Sequence, residues 1–164
     1  MKTKPASPVL PLFASLLLFA AGCSSPAKES AVTVDNATLK KEIEASNIEF
    51  AGFIAKGDSV GMANFYAEDA KLMFSNAPAI VGRKNIQTAI HNVLSFGIAK
   101  AEFTTIDVWG TGDFVSEEGQ ASLFDKAGTQ VIKDKYIVLW KKEAGKWRPF
   151  RDITNSDLPL PAAK

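Results

Sequence analysis

Cysteine and histidine are nearly missing from this 164-residue chain: Cys23 and His91 are the sole examples. A single cysteine cannot close an internal disulfide, and one of each cannot build a Cys/His metal cluster. No metal site is therefore expected, and nothing points to a cofactor. His91 has no second histidine or cysteine to work with, and it falls off the apolar stripe of its segment, so it reads as a surface residue. The serines have no histidine–aspartate arrangement around them, which leaves nucleophilic catalysis without support. An excess of charge of either sign is lacking too. The 19 Lys and Arg and the 18 Asp and Glu are interspersed, so no basic stripe exists to track a phosphate backbone, and nucleic acid is not an expected partner. No internal repeat is present, and no apolar run reaches the roughly 20 residues of a membrane span.

The N-terminus does carry a pattern. Lys2 and Lys4 precede an apolar run, Val9 to Ala21, that ends at Ala20-Ala21-Gly22-Cys23. A positive start, a short apolar stretch and small residues at its end describe a secretory signal. With the sole cysteine placed directly after them, the segment resembles the lipobox of bacterial lipoproteins, although alanine stands at position 20 where that family usually has leucine. The resemblance implies cleavage before Cys23, lipidation of Cys23 and a mature chain tethered to a membrane. Ser24 after the cysteine implies the outer membrane, with the domain facing the periplasm. Residues 1–22 then form the signal and residues 23–36, rich in Ser, Ala, Pro and Lys, a flexible tether. Residues 37–159 form one domain with one core, and residues 160–164 a tail.

Within the domain, apolar residues near helical spacing predict a helix over Thr38–Lys56 that is stopped by Gly57. Asp58 is placed to cap a second helix that runs to Tyr66. Ala70–Phe74 and Ile80–Val81 read as strands, and Lys84–Phe96 as a third helix. The period then changes to alternation, and Glu102–Trp109, Phe114–Phe124, Gln130–Lys142 and Trp147–Thr154 are strands joined by tight Gly-containing turns. They should pair as an antiparallel meander. Helices gathered early and strands late make an α+β domain with the helices on one face of the sheet.

This order of elements carries Gly57-Asp58, Tyr66-Ala67-Glu68-Asp69-Ala70, Val81-Gly82-Arg83, Gly145-Lys146-Trp147, Arg151-Asp152 and Asn155-Ser156-Asp157. Together they resemble the SnoaL-like group of the nuclear transport factor 2-like superfamily over nearly the whole domain. The resemblance implies a cone: a strongly bent antiparallel sheet closed by three helices around an apolar pocket, commonly dimerising through the outer sheet face. Phe50, Ile54, Met62, Tyr66, Met73 and Phe74 are the expected pocket residues. Chemistry does not follow from the fold, because unrelated reactions are grafted onto it. Ketosteroid isomerases of this superfamily use a carboxylate base and a tyrosine. Alignment on Tyr66-Ala67-Glu68-Asp69-Ala70 and on Gly57-Asp58 places Phe74 and Phe50 at those positions, and neither ring can exchange the required proton.

Asp152 is the better catalytic candidate. It resembles the last-strand aspartate of limonene-epoxide hydrolases, whose partner arginine and second aspartate would fall near Glu118 and Gln120. Glu118 remains a candidate partner, because two carboxylates in an apolar cavity push one pKa upward. Gln120 is carried as a ligand contact. Glu117 and Glu118 alternate across their strand, so one of them faces the cavity, and a bulge at Gly119 would shift that parity. Regular alternation would put Asp152 on one face with Phe150, and the resemblance implies that this face looks into the cone. There the pKa of Asp152 should rise unless an arginine shares the cavity, Arg148 being the cation left on that face. Three functions are open: a small-molecule-binding domain, a hydrolase, cyclase or lyase built on Asp152, or an interaction module with a vestigial pocket. An open pocket in which Asp152 converges with a second polar group favours the enzyme. An open pocket without convergence favours binding, and a plugged one favours interaction. Apolar residues on both faces of Tyr136–Trp140 predict a homodimer through the outer face.

Overall fold

The computed structural model describes residues 35–159. The signal, Cys23, nearly all of the tether and residues 160–164 lie outside the described residues. The elements are α1 (Asn36–Lys56), α2 (Ser59–Phe65), β1 (Lys71–Met73), β2 (Ile80–Val81), α3 (Arg83–Ser95), β3 (Ile98–Thr111), β4 (Phe114–Asp125), β5 (Gln130–Glu143) and β6 (Lys146–Ser156). Helix α1 stops at Gly57, whose φ of 66° gives a left-handed cap that side-chain-bearing residues adopt at a cost. Directly after it the Asp58 carboxylate accepts the Gly61 N–H at 2.8 Å, which starts α2.

The sheet order is β2-β1-β6-β5-β4-β3. The four long strands form the expected antiparallel meander, but the sheet is mixed, because β1 runs parallel to β6 with Leu72 opposite Asp152. The reason is connectivity. Chain between β1 and β6 includes a helix and four strands, so no tight turn dictates their relative direction.

Alternation divides the sheet. On β4, Val115, Glu117, Gly119 and Ala121 are buried, while Glu118 and Gln120 face out; on β5, Tyr136, Val138 and Trp140 are buried. Helix α1 packs across β3 and touches β6, and α2 packs on α3. Two apolar clusters result. One joins the first half of α1 to β4, β5 and Trp147; the other joins Ile54 to α2, β1, α3 and the start of β3. Phe50, Phe103 and Leu123 touch both clusters.

Four bulges interrupt the pairing: Ala99 and Ile106 are unpaired in β3, Val131 in β5, and Phe150 in β6, between Pro149 and Arg151. Gly119, the glycine expected to mark a bulge, pairs with Thr105 and Tyr136, and the bulge at Ile106 falls on the facing strand opposite the Glu118–Gly119 step. Its role is space: a Cβ at Gly119 would overlap the Tyr136 ring.

Candidate functional site

A cavity of about 170 Å³ lies where the two clusters meet. Five of the six expected apolar and aromatic residues line it: Phe50, Ile54, Met62, Tyr66 and Phe74. Met73 does not. The β1 alternation buries Leu72 toward the cavity and sends Met73 to pair beside the half-exposed Ile153. The volume remains open although Phe50 packs against Phe65, Tyr66 and Phe103 at ring distances of 5.5–5.9 Å.

Asp152 reaches this cavity because of the bulge at Phe150. Trp147 and Pro149 point inward, one extra residue intervenes, and the inward set continues with Asp152 and Thr154. Regular counting would have turned Arg151 inward and Asp152 outward. Phe150 therefore does not share Asp152's face: it is absent from the cavity wall, and its ring lies 3.6 Å from the Arg151 guanidinium and 5.8 Å from the Phe114 ring. Arg148, the cation expected beside Asp152, instead donates to the carbonyl oxygens of Asn64 and Phe65 and approaches Glu143.

The partner of Asp152 is Tyr66, whose hydroxyl donates to Oδ2 at 2.6 Å. Withdrawal from water is the main influence on this carboxyl. The Tyr66 bond opposes it and the charge of Glu117 reinforces it, and the pKa rises from 3.8 to about 6. Tyr66 is pushed well above its ordinary value by burial and by the Asp152 charge. It therefore remains a hydrogen-bond donor at physiological pH. Asp134 and Thr154 also line the cavity and bond each other at 2.7 Å.

Glu118 and Gln120 lie elsewhere. Both stand on the outer sheet face by strand parity, and Glu118 borders a groove there with Lys135 and Ile137. The inward carboxylate is Glu117, with no exposed surface. Its Oε1 accepts from Asn47 Nδ2 at 2.7 Å, Thr105 Oγ1 at 2.7 Å and Tyr136 Oη at 2.9 Å, and its Oε2 accepts from Trp140 Nε1 at 2.9 Å. All four donors are neutral. Glu117 is not itself in the cavity wall, but Asn47, Tyr136 and Trp140 are, so it fixes three wall side chains from behind. Tyr136 leans over Gly119 to reach it, and burial followed by the Glu117 charge drives the phenol pKa upward. Sequence reasoning missed this cluster. Its trace is Asn47, an amide on the buried stripe of Leu39, Ile43 and Ile54, because a polar residue on a buried stripe needs buried partners.

Among the described residues, no three His, Cys, Asp or Glu side chains gather as a metal site, and no helix is long and apolar enough to cross a membrane.

Residues 48–149 match the SnoaL-like domain, and the chain belongs to that family. No curated protein is similar to it in sequence. Among solved structures, a ketosteroid isomerase-like protein from Erwinia carotovora atroseptica is 22% identical with a TM-score of 0.60, covering 73% of this chain and 96% of that one. A protein of unknown function with a cystatin-like fold from Nostoc punctiforme is 18% identical with a TM-score of 0.66, covering 77% and 97%. A nuclear transport factor 2-like protein with a cystatin-like fold from Novosphingobium aromaticivorans is 18% identical with a TM-score of 0.57, covering 76% and 85%. At these identities the likeness carries the fold, an α+β cone of helices on a curved sheet.

Proposed function

We propose that this SnoaL-like domain binds a small, mainly apolar molecule and holds its one polar group at the Asp152–Tyr66 pair. The observation that carries the reading is that pair: a carboxylate and a phenol bonded at 2.6 Å in the wall of an otherwise mostly apolar cavity. A volume of about 170 Å³ suits a ligand of about one ring, since roughly 150 Å³ accommodates benzene. The test is to pass metabolite extracts over the purified protein and identify bound species by mass spectrometry. A species retained by the protein and lost from Ala121→Leu, which fills the cavity, supports the reading. Retention unchanged by that substitution refutes it.

A second reading is favoured by the pKa of Asp152. A carboxyl near 6, hydrogen-bonded by Tyr66, is suited to general acid–base work on the bound molecule. Conversion of a retained species, abolished in Asp152→Asn with binding preserved, would establish it. The convergence of Asp152 with a second polar group favours this over an inert pocket.

We further propose that Cys23 is lipidated and tethers the domain to the cell envelope, at the outer membrane. A Cys23→Ser protein that is still cleaved and still fractionates with membranes would refute this. The outer sheet face carries Val131, Ile137 and Ile153, each at least 39% exposed, and we assign it to a homodimer. A monomer mass by light scattering at micromolar concentration would overturn that assignment.

A further inference from the structure

The chemistry of the cavity wall discriminates among ligands by charge. Two carboxylates, Asp152 and Asp134, belong to the wall, and a third, Glu117, stands directly behind it. Among the described residues, no Lys, Arg or His side chain lines the cavity. The arginines around it are occupied on backbone carbonyls: Arg83 on that of Tyr66, Arg148 on those of Asn64 and Phe65, and Arg151 on those of Asp69 and Phe150. Asp152 accepts from Tyr66 through Oδ2 alone, and no donor of the described residues reaches Oδ1. No sealed side-chain oxygen lacks a partner among those residues, so Oδ1 is open to the cavity that Asp152 lines. Around it the wall is rich in aromatic rings, among them Phe50, Phe74, Phe103, Tyr136 and Trp140.

An anionic ligand would meet like charge at Asp152 and Asp134 with no cation to offset it. A neutral ligand could donate to the carboxylate Oδ1 but would leave its negative charge uncompensated in the apolar cavity. A protonated amine satisfies both features of the wall. Its N–H donates to a carboxylate in a charge-assisted bond, and its positive charge is compatible with aromatic surroundings. We propose that the cavity selects a small organic ammonium ion, an amine on a single apolar ring or short chain, with the ammonium donating to Oδ1 of Asp152. This rests on the small-molecule reading above and names the class of ligand.

The test uses three probes of matched shape: benzylamine, benzyl alcohol and benzoate. Each is titrated into the full-length protein by calorimetry near neutral pH. Benzylamine should bind about tenfold more tightly than benzyl alcohol, because the ammonium adds an ion pair to the hydrogen bond that either probe can donate to the carboxylate. Benzoate should bind more weakly than either. In Asp152→Asn both should weaken, the amine more than the alcohol, so that the preference for the amine is lost. The groups that face Asp152 are Tyr66 from the end of α2, Glu117 from β4, and Asp134 and Tyr136 from β5. The wall residues of α3 (Ile90, Val93 and Leu94) and of β1 (Leu72) do not titrate. The preference for the amine should therefore shrink as pH falls below about 6, where Asp152 takes up its proton. Equal binding of amine and alcohol, or tighter binding of benzoate, overturns the ammonium assignment and leaves the pocket standing. No binding of any probe at millimolar concentration overturns both.

Discussion

Replacing Asp152 with asparagine should make the protein more stable at neutral pH. The carboxyl has a pKa of 3.8 when solvated and about 6 in the fold. Between those values the native state holds a proton that the unfolded chain has released, so stability falls as pH rises. The contribution is fully present below the solvated pKa and fully lost above the folded one. The gap of about two units, at about 1.4 kcal/mol each, amounts to about 3 kcal/mol at most. Asparagine keeps the size and an oxygen able to accept from Tyr66, but it never ionises. Urea unfolding of both proteins should show the variant ahead by up to about 3 kcal/mol near pH 8, and the two within about 1 kcal/mol near pH 4. Taking the difference between the proteins removes the titration of every other group that behaves alike in both. A difference that does not change with pH, or one in which the natural protein gains on the variant as pH rises, would show that the carboxyl is solvated or paired with a cation.

Tyr66→Phe removes the single bond that lowers the Asp152 pKa, so carboxyl-resolved NMR should find that pKa above its value of about 6 in the natural protein. An unchanged or lower value would break the pair. Gly119→Ala should displace the Tyr136 ring, detach it from Glu117 and cost about 1–3 kcal/mol in chemical denaturation. A neutral outcome would mean the ring has other room. Glu117→Gln brings an amide donor against a ring of donors and should cost about 1–3 kcal/mol. Loss of the sharp Trp140 indole N–H signal shift in the same variant would locate the damage.

How legible these features were in the sequence depended on the distance over which each was encoded. The caps at Gly57 and Asp58 are local, and the structure has them where turn chemistry puts them. The meander followed from alternation and tight turns. The parallel pairing of β1 with β6 was not legible, because it joins segments separated by most of the domain. Face assignments failed wherever parity was interrupted. Counting put Phe150 on the inward face with Asp152, but the bulge at Phe150 turns only Asp152 inward, and Glu117 and Glu118 could not be told apart without knowing which side α1 covers. Asn47 and Thr105 are unremarkable alone, and only their convergence on Glu117 gives them meaning.

The bulge at Phe150 has a consequence for the sign of charge that the cavity presents. A bulge is a defect in a ladder, and a defect can migrate. Shifted two residues toward the C-terminus, it would leave the backbone path nearly unchanged while turning Arg151 inward in place of Asp152. The wall would then trade one of its two carboxylates for a guanidinium beside Asp134, with no substitution at all. Such a shift would break the contact of the Arg151 guanidinium with the Phe150 ring and its bonds to the carbonyls of Asp69 and Phe150, all of which lie outside the cavity.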